Sequence, residues 1–217
     1  IVLAILAAAA FTVTAIVRHN QRPAWDGGYS VHISEVMTDN KTCPNGEGVL
    51  CGWIEIENTS SKDFSIGGYY LSDETGKGKY CFPAGTVVPA RGYLVVWCSP
   101  DEEGDYAPFA LRKAGGETVC LMNENRTVLD SAVTAVCRSG QSLVRGSDGA
   151  LIPADTPTPG YPNSEAGAKA WQEALAQRSG GTLEHSEIQS SNTLYAAPDG
   201  NFYDWIEVHN PTDSPVS

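Results

Sequence analysis

Apolar positions in this chain fall in short runs of strand length, and Gly, Pro, Asn or Asp separate nearly every run. The pattern predicts strands over residues 31–37, 49–57, 69–72, 80–82, 93–98, 117–122, 128–136 and 141–144. Along the second of these, a period of two sends Ile54 and Ile56 to one side and Trp53, Glu55 and Glu57 to the other. Turn signals punctuate the runs: Asn45-Gly46, Gly67-Gly68, Pro83-Ala84-Gly85, residues 89–92, Gly115-Gly116 and Asp148-Gly149. Many short strands at this rhythm predict an all-β, two-sheet sandwich over residues 29–163.

The flanks read differently. Residues 1–17 are apolar apart from Thr12 and Thr14, and Arg18, His19, Gln21 and Arg22 follow within a linker over 18–28. A run apolar on every side lacks the polar face of a domain helix. It is expected to be a hydrophobic helix acting as a membrane anchor, or the apolar part of a secretory signal. After Pro162, Ser164 is an N-cap and Glu165 suits a first helical turn. A linker helix is expected over 164–182, with Ala168, Trp171 and Leu175 on one face and Arg178, Gly180 and Gly181 at its end. Trp171 is expected to pack on an end of a domain.

The most specific signal is a self-match. Ser34-Glu35-Val36, Asn40, Gly48 and Trp53-Ile54-Glu55-Ile56-Glu57-Asn58 are answered by Ser186-Glu187-Ile188, Asn192, Gly200 and Trp205-Ile206-Glu207-Val208-His209-Asn210. The offset is constant at 152 positions (187 − 35 and 205 − 53), with eight identities in register. That period is too long for a solenoid repeat and suits a whole domain. Residues 183–217 are therefore expected to begin a second copy, and the chain reads as part of a longer protein.

A formal net charge of −12 and a pI near 4.6 argue against nucleic acid and anionic lipid as partners, since both are bound through clustered Lys and Arg. Cys43, Cys51, Cys81, Cys98, Cys120 and Cys137 form an even set within the sandwich. They are expected to be disulfide cysteines outside the cytoplasm. Cys43 and Cys51, which flank a turn, are the best local pair, although six cysteines allow 15 pairings. No CxxC spacing and no neighbouring histidine suggest a metal site.

Catalytic signatures are missing from the sequence. Glu55 and Glu57 share a face, and paired carboxylates can do acid–base work, but an ordinary solvated strand face is expected. Trp53 and Trp205 are expected in the core rather than at a ligand. Residues 101–105 are acidic without the alternating pattern of a calcium loop. Gly76-Lys77-Gly78-Lys79 reads as a hairpin turn, too short for a phosphate loop. The histidines at 19, 32, 185 and 209 lie apart from any nucleophile, with no GxSxG or HExxH. No catalytic, cofactor-binding or metal residue is expected.

Four stretches resemble the lamin tail domain family. The first is Ser34-Glu35-Val36 with Trp53-Ile54-Glu55-Ile56-Glu57-Asn58. The second is Gly67-Gly68-Tyr69-Tyr70-Leu71-Ser72-Asp73. The third is Phe82-Pro83-Ala84-Gly85-Thr86 with Pro89-Ala90-Arg91-Gly92-Tyr93-Leu94-Val95-Val96-Trp97. The fourth is Thr156-Pro157-Thr158-Pro159-Gly160-Tyr161-Pro162-Asn163, similar to the closing motif of bacterial members. The resemblance implies an immunoglobulin-like sandwich without catalytic residues. Its motif residues, Glu35, Trp53, Glu55, Asn58, Gly68, Phe82, Pro83, Gly92, Trp97, Pro159 and Gly160, would then be structural. Nuclear lamins use such domains to bind proteins and in some cases DNA. Bacterial relatives resemble accessory modules on secreted or anchored proteins, some before a CotH-like kinase domain. The expected function is a non-catalytic, membrane-anchored extracytoplasmic module of the bacterial cell surface, binding a protein or cell-surface component or spacing a downstream domain. The alternatives are the accessory front of a larger enzyme, such as a CotH-like protein kinase or a secreted hydrolase, and a structural cell-surface or spore-coat protein.

Overall fold

The computed structural model describes residues 30–178 and 184–209. The expected anchor at 1–17 and most of its linker lie outside these residues, and no described helix is long and apolar enough to cross a membrane. The chain forms two compact units, one up to Trp171 and one from Gln172 onward.

The first unit contains β1 (Val31–Met37), β2 (Gly52–Asn58), β3 (Phe64–Ser65), β4 (Tyr70–Ser72), β5 (Tyr80–Cys81), β6 (Val87–Val88), β7 (Tyr93–Cys98), β8 (Tyr106–Ala107), β9 (Thr118–Met122), β10 (Val128–Val133), β11 (Ser142–Arg145) and β12 (Leu151–Ala154). A six-stranded sheet runs β12-β11-β1-β2-β7-β8, and a four-stranded sheet runs β10-β9-β4-β5. Every pairing is antiparallel except β7 with β8. β3 and β6 add a short ribbon.

The apolar alternation decides how the sheets stack. Ile33, Val36, Ile54 and Ile56 from the large sheet meet Leu71, Val119 and Leu121 from the small one in a single buried cluster. Burial of such side chains contributes about 1.5–3 kcal/mol each. The fold is thus a two-sheet β-sandwich of immunoglobulin-like type.

The pattern missed β3, β6, β8 and β12, each of two to four residues. Runs this short carry no readable period, and pairing with a neighbour creates them. The run at 128–136 was expected to be one strand, but pairing ends at Val133. Beyond it Thr134 turns its hydroxyl and amide to Glu117.

A helix, α1 (Glu165–Arg178), follows the sandwich. Ser164 caps it, its Oγ accepting the Gly167 amide at 3.1 Å. Gly167 has a steric reason, because a Cβ there would fall on the Pro162 carbonyl. Gly167→Ala is therefore expected to destabilise the first unit by about 1–3 kcal/mol, although alanine is the better helix former. A gain of stability in urea unfolding would show that the helix entry is loose. Trp171 is buried, with its ring 6.4 Å from that of Tyr161.

In the second unit, β13 (Glu184–Gln189) pairs antiparallel with β14 (Trp205–His209). Its register repeats that of β1 and β2. Glu35↔Glu55 and Val36↔Ile54 become Glu187↔Glu207 and Ile188↔Ile206, and each first strand bulges at the equivalent place. The loops agree as well. Asn40 donates to the carbonyls of Cys43 and Cys51, and Asn192 to those of Tyr195 and Tyr203.

Candidate functional site

A cluster of buried polar groups lies on the outer face of the large sheet, opposite the core. Glu35 and Glu55 sit directly across the β1–β2 ladder from each other, and both are 0% exposed. The bulge between Ile33 and Glu35 gives β1 one extra residue, Ser34. Its hydroxyl donates to Glu55 Oε1 at 2.6 Å.

A strap, residues 156–163, closes over the pair. Proline has no amide hydrogen, so within Thr156-Pro157-Thr158-Pro159-Gly160 only the threonines and Gly160 offer backbone donors. Thr158 to Tyr161 form a turn with Pro159 second and Gly160 third, closed by the Tyr161 amide on the Thr158 carbonyl at 2.8 Å. Gly160 has φ 84°, which this turn type demands of its third residue. The turn aims its donors at the carboxyls. The Thr158 amide donates to both Glu35 oxygens (3.2 and 3.3 Å), and its hydroxyl bridges Glu35 Oε2 at 2.8 Å and Asn163 Oδ1 at 2.7 Å. The Gly160 amide donates to Glu55 Oε2 at 2.7 Å. The Asn163 side-chain amide reaches the Ser34 carbonyl at 3.2 Å.

Burial pushes the Glu35 carboxyl up to about 7, against the pull of the nearby Ser142 hydroxyl and of the hydrogen bonds from Thr158. Two residues along the same face, burial raises Glu57 to about 7, with His32 Nε2 3.6 Å from its Oε2. The solvated face expected for Glu55 and Glu57 is thus corrected: both are buried, Glu55 under the strap and Glu57 beside His32 and across from Tyr93. Trp53 is buried, as expected, but in this outer layer rather than among the core cluster. Its ring meets Trp97 edge-on at 6.3 Å.

A second buried polar group ties the sheets together. Asp130 on β10 accepts the Ile33 amide at 2.7 Å and pairs with Arg145 at the end of β11. Arg145 also donates to the carbonyls of Ile33 and Gly149. Burial pushes the Asp130 carboxyl above its ordinary value, opposed by the Arg145 charge.

The other motif residues occupy structural positions. Asn58 donates to the carbonyls of Lys62 and Val88, joining β2 to the β3–β6 ribbon. Phe82 is in the core. Gly68 (φ 82°) serves the turn before β4, and the Pro83 carbonyl accepts the Thr86 amide. Gly92 packs tightly on Pro89, and its carbonyl accepts the Asn58 amide. Pro159 is buried in the strap.

All six cysteines are free thiols. Cys43 is buried, within reach of Trp171, and Cys51 borders Cys98 across the β2–β7 end rather than bonding Cys43. Residues 101–105 form an exposed loop, and no group of three or more His, Cys, Asp or Glu among the described residues is arranged to hold a metal. A hollow of about 200 Å³ beside the strap, lined by Val144, Ala154, Thr156 and Asn163, is below the size of small-molecule sites.

Sequence reasoning singled out Glu35, Glu55, Pro159 and Gly160 but not their common purpose. It missed Asp130, Arg145 and Ser142. One available signal was a single charged residue, Asp130, inside a mostly apolar strand, which needs a buried partner.

No curated protein matches the chain. Residues 27–136, which hold both glutamates, Trp53, Asn58 and the inter-sheet Asp130, match the family described as Lamin Tail Domain. With the sandwich and the motif residues in place, the chain belongs to the lamin tail domain family.

Proposed function

We propose that this chain is a non-catalytic binding and spacing module, held outside the cytoplasm by its N-terminal apolar segment. It would present a protein or cell-surface partner, or carry a downstream domain. The observation that carries this reading is the recurrence of one hairpin, with its bulge, glutamate pair and loop asparagine, at a spacing of 152 residues. Repeated copies of one domain suit distance and multivalent contact rather than chemistry. Residues 183–217 are read as the start of a second lamin-tail-like domain, in the manner of bacterial tandem proteins. Glu35 and Glu55 are occupied by the strap, which also favours a structural use. The apolar segment favours export.

An epitope placed in the exposed 101–105 loop tests the location. Antibody should reach it on intact cells that express the protein. Detection only after permeabilisation would overturn the reading.

A further inference from the structure

The strap is held to β1 and β2 chiefly through two acids. The Thr158 and Gly160 amides donate to Glu35 and Glu55, and the one hydrogen of the Thr158 hydroxyl goes to Asn163 Oδ1 when its oxygen accepts the proton of a protonated Glu35. Side chains directly opposite on a ladder have Cβ atoms about 4.5–5.5 Å apart, and two carboxylates this close and this buried resist ionising together.

We propose that the strap at 156–163 is a proton-operated latch, closed while Glu35 carries a proton and loosened as Glu35 ionises. Lifting the strap admits water to both carboxyls, which relieves the buried charge. The strap runs directly into α1, so the latch governs how firmly the start of the interdomain helix is tied to the sandwich.

The groups facing Glu35 come from every element around it. Ser34 and His32 lie on its own strand, and Glu55 and Glu57 on β2. Ser142 on β11 and Cys43 from the loop after β1 approach its carboxyl. Tyr93 on β7 stands opposite Glu57. The strap contributes Thr158 and Gly160 to the pair and Asn163 to Ser34, and α1 brings Trp171 against Cys43. Burial holds the Cys43 thiol at about 11, so it stays neutral throughout. Glu57 is the one other acid here raised to about 7, and its variant serves as the control.

The sign follows from linkage. The closed form holds its proton to about 7, whereas a hydrated Glu35 returns toward 4.5. Opening therefore becomes easier by up to about tenfold per pH unit between those values and levels off above them.

Amide hydrogen exchange of Thr158 and Gly160 in the full chain reads the latch, after correction for intrinsic exchange. Protection should fall about 20-fold from pH 5.5 to pH 7.5, and these amides should exchange faster than Leu121 in the core strand β9. The fall should persist in Glu57→Gln and vanish in Glu35→Gln. Equal protection at the two pH values, persistence of the fall in Glu35→Gln, or exchange no faster than Leu121 would each overturn the proposal. Should Glu35→Gln fail to fold, carbon-13 titration of the wild-type Glu35 carboxyl decides. A midpoint near 7 supports the latch, and one near 4.5 overturns it.

Discussion

Replacing Trp53 by alanine is expected to lower the unfolding free energy of the first unit by about 3–5 kcal/mol. Trp53 is fully buried, yet it lies on the side of β2 that faces away from the sandwich core. Its environment is an outer layer in which its ring meets that of Trp97 edge-on. The large loss is expected because Trp53 is as fully buried as the core side chains, with Trp97 half-buried beside it. Trp53→Phe separates volume from polarity. The indole Nε1 is buried without a hydrogen-bond partner among the described residues, so phenylalanine removes an unsatisfied donor along with some volume. Its loss should be well under half that of alanine. Urea unfolding of the full chain checks both, and an alanine loss below about 1 kcal/mol would mean that the outer layer is open to water.

Arg145→Ala is expected to cost a similar amount, about 3–5 kcal/mol, for an electrostatic reason. Arg145 and Asp130 are both buried and pair where β10 approaches β1. Removing the guanidinium leaves a carboxylate uncompensated in the interior and frees the carbonyls of Ile33 and Gly149. Adding Asp130→Asn to Arg145→Ala tests this origin. The amide still accepts the Ile33 N–H but carries no charge, so more than about 1 kcal/mol should return. No recovery would assign the loss to packing of the arginine stem instead.

Much of this architecture is legible in the sequence. Val31–Met37 and Tyr93–Cys98 keep the bounds that their apolar runs predict, because their inward positions are aliphatic and turn residues frame them. The 152-residue repeat anticipates even the matching registers of the two hairpins. What the local pattern does not carry is the covering of the outer face. Alternation places Glu55 opposite the core but says nothing of a strap that arrives more than 100 positions later, from Gly160. Arg145 is equally opaque, since an arginine at a strand end ordinarily points to water, and only the return of β10 to Ile33 gives it a buried partner. Non-local pairing of this kind sets the chemistry of the site, while period and turn signals set only its scaffold.

The Glu35–Glu55 pair belongs to the folded architecture, and burial holds the proton on Glu35 to about 7. The direct measurement is the unfolding free energy of the chain from pH 5 to pH 8 by urea titration, in the wild type and in Glu35→Gln. A carboxyl whose folded value is about 7, against an ordinary 4.5, holds its proton longer in the native state. Its stabilising contribution is complete below about 4.5 and is lost as the pH rises to 7. Glu35 alone should therefore account for a loss on the order of 2 kcal/mol across this range, with Glu57, also raised to about 7, adding its own, and Glu35→Gln should lose less than the wild type by about the Glu35 share. Stability that is flat or rises from pH 5 to pH 8, as for carboxylates ionised in both states or held by salt bridges, would contradict it.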